Sequence, residues 1–252
     1  MKKKNIFLKS VLSMVISLSI FLGSIPISFA QESQMNNEPK GHVIVSVEKF
    51  TLGLGYIKDP VKVPFYEGDN NADILTRLLG YGNYKNMGDI ESSFYLSKVK
   101  DNDTRTPNVP QYILDKCGEI GEREEANWLG EFDYTFMSGW MYVVNNSFPN
   151  VGASGCIPKD GDVIRWQFTT YGYGADIGGD GFGAGEPFVK IANKDSLTRE
   201  VAEINSAPNK AELLDKKEVK DAYDNAYKVL EVVDIAQSKV DVALKELKEA
   251  LK

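Results

Sequence analysis

The chain has 252 residues, more than one ordinary domain of ~100–150 residues needs. Hydrophobic residues at 42% and charged ones at 26% are globular values, which exclude a disordered or fibrous chain. A formal charge of −7 argues against nucleic acid as a partner, and with one histidine and two cysteines a Ser-His-Asp triad has only His42, while zinc sites built from several His or Cys lack ligands.

Lys2, Lys3 and Lys4 open a basic stretch ahead of an apolar run over residues 6–22, followed by Gly23, Pro26 and the small-large-small triplet Ser28-Phe29-Ala30. This order reads as a secretory signal peptide over residues 1–30, cleaved after Ala30. The apolar run approaches membrane-spanning length, but its serines and the helix breakers Gly23 and Pro26 favour cleavage, so no membrane span is expected in the mature chain. Loss of Lys2, Lys3, Lys4 and Lys9 takes the formal charge from −7 to −11. The expected location is extracellular, free or held at the cell surface. Residues 31–41 are polar and aperiodic, and read as a linker.

Residues 42–190 carry mostly strand patterns. Val43, Val45 and Val47 alternate with Ile44, Ser46 and Glu48 as in a half-buried strand. Val61, Val63 and Phe65 alternate again, with Pro64 marking an edge or an end. Asn71 is placed to cap a short helix whose apolar face is Ile74, Leu75, Leu78 and Leu79, stopped by Gly80. Further strands are expected over residues 94–99, 140–145 and 163–168. Residues 112–114 fit either a helix start or a strand, and Asp160-Gly161-Asp162 reads as a tight turn between strands.

Beyond Asn193 the period changes from two to 3.6. Leu197, Val201 and Ile204 form one apolar stripe behind the candidate caps Asp195 and Ser196. Val219, Ala222, Ala226, Val229 and Val233 form a second, and Val240, Ala243, Leu244, Leu247 and Leu251 a third. The expected fold class is α+β: a sheet with one packed helix, then a separate small three-helix bundle over residues 195–252.

The middle of the chain holds more specific phrases: Phe132-Asp133-Tyr134, Ser138-Gly139-Trp140-Met141-Tyr142-Val143-Val144-Asn145-Asn146, and Gly161-Asp162-Val163-Ile164-Arg165-Trp166-Gln167-Phe168-Thr169. Together with Phe148-Pro149-Asn150-Val151-Gly152 and Gly174-Ala175-Asp176-Ile177-Gly178, this series resembles the transcobalamin C-terminal-like domain of exported bacterial proteins, a β-grasp-like family. The resemblance spans about residues 42–188. In the family's cobalamin carriers this domain closes over the corrin ring, and a separate helical barrel supplies the other wall; here only the linker precedes it. The resemblance therefore implies a ligand-binding surface formed by Trp140, Tyr142, Asn145 and Trp166, facing a cobalamin-like or other small soluble ligand. The stripes over residues 196–252 resemble the FIVAR-type module, a three-helix unit of Gram-positive surface proteins and exported glycosidases. That likeness implies a spacer, or a contact with carbohydrate or host matrix.

Read from the residues alone, Trp140 and Tyr142 share one face of their strand and Met141 and Val143 the other. Met141 and Val143 look like the core set, which leaves Trp140 and Tyr142 facing outward beside Trp166 as a platform; the same rings also suit filling a small core. Asp176 and Asp180 sit in a glycine-rich loop that offers oxygens for a calcium ion, with a solvated loop as the alternative. Cys117 and Cys156 are either two free thiols or a disulfide closing a loop of about 40 residues, worth ~2–4 kcal/mol. Glu119, Glu122, Glu124 and Glu125 read as one solvated helical face rather than the separated acid and base of a glycosidase. The expected function is non-enzymatic: an exported ligand-binding or cell-surface protein, or alternatively an adhesion or spacer module without a small-molecule site.

Overall fold

A computed structural model of the chain describes residues 38–180 and 185–252. The expected signal peptide, and all but the last residues of the linker, lie outside the described residues. The elements are β1 (Gly41–Glu48), β2 (Tyr56–Phe65), α1 (Asn71–Leu79), β3 (Tyr84–Met87), β4 (Tyr95–Lys100), α2 (Gln111–Cys117), β5 (Trp128–Gly130), β6 (Gly139–Val144) and β7 (Val163–Thr169), followed by α3 (Asp195–Ser206), α4 (Lys210–Asp215), α5 (Lys217–Leu230) and α6 (Gln237–Ala250). The α+β class holds.

Four strands form a mixed sheet in the order β2-β1-β7-β6, with β1 and β7 parallel at its centre and antiparallel neighbours on either side. The smaller antiparallel sheet runs β3-β4-β5. The helix expected after the first hairpin is α1, and its true cap is Asn70. The Asn70 side chain accepts from the Ala72 and Asp73 amides while Asp73 accepts from the Asn70 amide, a reciprocal capping box that leaves Asn71 as the first helical residue. Residues 112–114 lie in a helix, α2. The glutamates at 119–125 lie on no helix; Glu124 and Glu125 instead pair with Lys98, and Glu125 also with Lys85.

One face of the four-stranded sheet builds the main core. Val43, Val45, Val47, Ile164, Trp166 and Phe168 pack there against Ile74, Leu75 and Leu79 of α1, Ile113 of α2, and Leu96, Val99 and Leu129 of the small sheet. The other face of β1 was expected to meet solvent, because Ser46 and Glu48 are polar. It is covered instead. Every residue of β7 and all of β1 from Val43 onward are buried, since α3 lies across that face, with Ala202 against Ile44 and Val163.

The helical segment is thus joined to the sheet rather than standing apart, and every described residue falls within one compact unit, Asn37–Lys252. Arg199 donates to the Gly161 carbonyl, Asn205 to the Pro60 carbonyl, and the Lys62 amide to the Ser206 hydroxyl. The rings of Tyr56 and Tyr227 meet edge to face at 5.6 Å. The three expected stripes fall on α3, α5 and α6, whose buried residues include Leu197, Val201, Val219, Ala226, Val240 and Leu247, while the short α4 buries none.

Covering a polar strand face requires that its charges be matched. Glu48 accepts from Arg165 Nε and Nη2 at 2.9 and 2.8 Å, and from Ser46 Oγ at 2.6 Å, all buried. Lys194 is buried beside them. Its ammonium donates to the Leu230 and Val232 carbonyls at the end of α5 and lies over the Phe50 ring. Burial, reinforced by repulsion from Arg165, pushes Lys194 down to about 7. A second buried network joins Lys49 to Asp101 and Asp103, with Arg123 bridging Asp101 and the Tyr134 hydroxyl.

Glu48→Ala strands a buried guanidinium and should lower the unfolding free energy by about 3–5 kcal/mol in urea denaturation, whereas replacing Glu48 and Arg165 together by Leu and Met should cost far less. Because Lys194 sheds its proton more readily when folded, it binds fewer protons in the native than in the unfolded state above pH ~7. Its contribution should therefore raise stability as pH climbs from about 7 towards 10, and Lys194→Met should flatten that rise in urea titrations across the same window.

Candidate functional site

The strand pair β6–β7 supplies the floor of the site. Its antiparallel register places Tyr142 opposite Trp166 and Trp140 opposite Phe168. Tyr142 stacks on Trp166 with ring centroids 5.1 Å apart and planes 24° apart, and Trp140 meets Phe168 edge-on at 5.4 Å. Phe94 closes on Trp166 from the small sheet at 6.3 Å.

The outward platform expected at Trp140 and Tyr142 takes a different form. Both faces of the sheet are covered, so the alternation that separates Trp140 from Met141 selects between two interiors rather than between core and water. Trp140 is 7% exposed and Trp166 3%, and both belong to the main core. The Trp140 indole N–H is satisfied by the Leu129 carbonyl at 3.0 Å. A hollow nevertheless lies beside these rings: a cleft of about 280 Å³ reached by Trp140, Tyr142 and Trp166 and walled by Phe94, Leu96 and residues 148–153. Its lining is aromatic and apolar with one amide, Asn150. The Trp166 Nε1–H is buried and has no hydrogen-bond partner among the described residues. An orphan donor of this kind costs ~1–3 kcal/mol unless something else accepts from it.

Local sequence explains why the cleft is open. Val144 and Ser147 pair across Asn145 and Asn146, which both have positive φ (51° and 59°), as the type I′ hairpin turn requires. Two residues on, the returning arm reaches Pro149, which has no amide hydrogen to continue the ladder opposite Tyr142. The arm departs there, tethered where the Tyr142 hydroxyl donates to the Val151 carbonyl at 2.6 Å and, further on, where the Phe94 amide donates to the Ser154 hydroxyl. Burial pushes the Tyr142 phenol far up, so it stays a neutral donor.

Asn145, expected to orient a ligand, belongs to this turn and does not reach the cleft. Its Oδ1 accepts from the Val163 amide at 3.0 Å and its Nδ2 donates to Asp162 at 2.8 Å, which fixes the register of β6 on β7.

The calcium expectation is corrected by what Asp176 already does. Fully buried, it accepts from the Thr169 hydroxyl and from the Thr170 and Tyr171 amides at 2.5, 2.7 and 3.0 Å. Burial outweighs these bonds and pushes it up to about 6. Asp180 borders a second hollow next to Met141 and Tyr173. Among the described residues, no group of three His, Cys, Asp or Glu side chains is placed to hold a metal ion.

Cys117 and Cys156 are free thiols, not a disulfide. Cys117 ends α2, where its thiol feels Asp176, whereas Cys156 follows a 3₁₀ turn (Ala153–Gly155) and sits by Tyr142. Burial pushes both thiols up, which keeps them protonated at neutral pH.

The floor lies within a stretch that a family model matches. Residues 123–170, which contain β5, β6 and β7, match the family described as Domain of unknown function (DUF4430), a domain associated with transcobalamin-like proteins. No curated protein matches the chain.

Asn145→Ala removes two hydrogen bonds and puts alanine, which tolerates the left-handed region less well than asparagine, at a φ of 51°, so it should cost about 1–3 kcal/mol in urea unfolding. Asn145→Gly should recover only the backbone share of that loss, which separates strain from hydrogen bonding.

Proposed function

We propose that the chain is an exported, non-enzymatic protein that binds a small soluble ligand in the aromatic cleft on the β6–β7 floor. The observation that carries this reading is the Trp166 indole N–H, buried without a partner beside a hollow lined by Tyr142 and Trp140. A native core seldom leaves such a donor unsatisfied, and an acceptor would relieve it once the rings around the cleft shift enough to admit one, since the nitrogen is closed off from solvent in this structure. The cleft's volume of about 280 Å³ is near the lower end for ligand sites. It suits a single ring, or one edge of a macrocycle whose remainder lies outside.

The likeness of this region to the transcobalamin C-terminal-like domain makes a corrinoid the first ligand to try. Residues 1–30, with their basic, apolar and small-residue segments, support export. The FIVAR-like stripes are read here as a brace, because α3 covers buried strand positions that a detachable spacer would leave exposed.

Cobinamide, cobalamin and haem, titrated against tryptophan fluorescence and by calorimetry, test the reading. Binding of at least one with micromolar affinity is expected, and Tyr142→Ala or Trp166→Phe should weaken it about tenfold, equivalent to ~1.4 kcal/mol. The absence of both heat and quenching with all three would remove the macrocycle reading.

A further inference from the structure

The sheet order leaves β6 at an edge, and the hairpin turn shows which of its main-chain groups face outward. Val144 bonds away from β7 to Ser147, whereas the Asn145 amide bonds towards β7 at the Val163 carbonyl. By the two-residue alternation of an antiparallel ladder, Trp140 and Tyr142 face the same way as Val144. Among the described residues, their N–H and C=O groups meet no main-chain partner on that side. The open stretch is bounded. At one end Ser138 already accepts from the Phe132 amide, and at the other Ser147 pairs with Val144.

Side-chain space exists on both sides of this edge. The aromatic cleft lies on the Trp140–Tyr142 face, and the second hollow, also about 280 Å³, lies towards Met141 and Tyr173. Met141, Phe148, Pro149 and Asn150 border both hollows, so the two lie on either side of one shared wall beside the edge. An added strand would need this arrangement: outward main-chain groups spaced roughly 7 Å apart, with alternate side chains falling to opposite sides. Neither hollow is lined by Lys, Arg or His, and the one charged residue on either is Asp180. The chain as a whole carries −7. An acidic occupant is therefore disfavoured.

We propose that the β6 edge accepts an extended peptide segment, neutral to cationic, as an added strand, with one bulky apolar side chain entering the aromatic cleft and its neighbour entering the Met141 hollow. The peptide's amides and carbonyls satisfy Trp140 and Tyr142 in turn. The inference rests on the reading of the cleft as a binding site and gives that site a polypeptide occupant.

Random heptapeptides displayed on phage and selected on the immobilised full chain are the probe. The selected sequences should alternate apolar or aromatic residues with neutral or basic ones. Synthetic copies should slow hydrogen exchange at the Trp140 and Tyr142 amides. N-methylation of one alternating set of peptide amides should weaken binding at least tenfold, while methylation of the other set should change it less than threefold. Equal tolerance of both sets, an acidic consensus, or the enrichment of no peptide overturns the added strand. If that happens while cobinamide, cobalamin or haem still quenches tryptophan fluorescence, the cleft remains a small-molecule site. If peptides bind with edge protection and no macrocycle does, the added strand stands and the macrocycle falls.

Discussion

Arg165 stays charged at any pH the protein meets, and it sits 3% exposed in the middle of a central strand. That position is tenable only because Glu48, on the neighbouring parallel strand, meets its guanidinium with both carboxylate oxygens. The pairing works only in one register of β1 on β7. A slip of one residue would either bring Ser46 and Glu48 of β1 into the aromatic core or carry Trp166 of β7 to the helical side. The ion pair therefore specifies the sheet as much as it stabilises it. It also requires a roof, because in water the same contact would contribute little. The helices α3 and α5, with Lys194 held between the Phe50 ring and the end of α5, supply that roof.

The opposite face of β7 obeys a different demand. Trp166 and Phe168 are too large for one layer of a small sheet to cover, so the floor is shared among α1, the small sheet and the arm that follows the Asn145-Asn146 turn. Where Pro149 turns that arm aside, coverage is incomplete and the cleft remains. Close packing elsewhere and a gap here arise from the same chain, differing in whether the next residue can donate a hydrogen bond.

Much of this was legible in the sequence. The alternation of Val43, Val45 and Val47, the apolar stripe of α1, and the three C-terminal stripes each depend on local period, and each falls on an element of the expected type. What escaped depends on partners distant in sequence. Ser46 and Glu48 read as solvent-facing because a buried ion pair looks like surface until Arg165, 117 residues away, is placed beside it. Trp140 and Tyr142 read as outward-facing for the same reason: alternation says that two faces differ, but not that both are covered. Strands β3 and β5 have only four and three residues, too short for any period to show. Asn145 was singled out as a ligand contact, yet its chemistry serves the turn, and a dipeptide of asparagines before a serine is as much a hairpin signal as a ligand signal. Asp176 misled because glycine-flanked carboxylates suit either a cation or a ring of backbone amides, and only tertiary structure distinguishes them.

The seam between sheet and helices bears on how such a chain can be inherited. A recombination junction placed in the stretch between β7 and α3, where composition changes most abruptly, would hand one descendant a strand face carrying an exposed ion pair and the other a set of helices with Leu197 and Val201 uncovered. Neither product would be a ready-made part for another protein. The two halves can be exchanged only as a pair, so the visible change in sequence character marks a joint rather than a border.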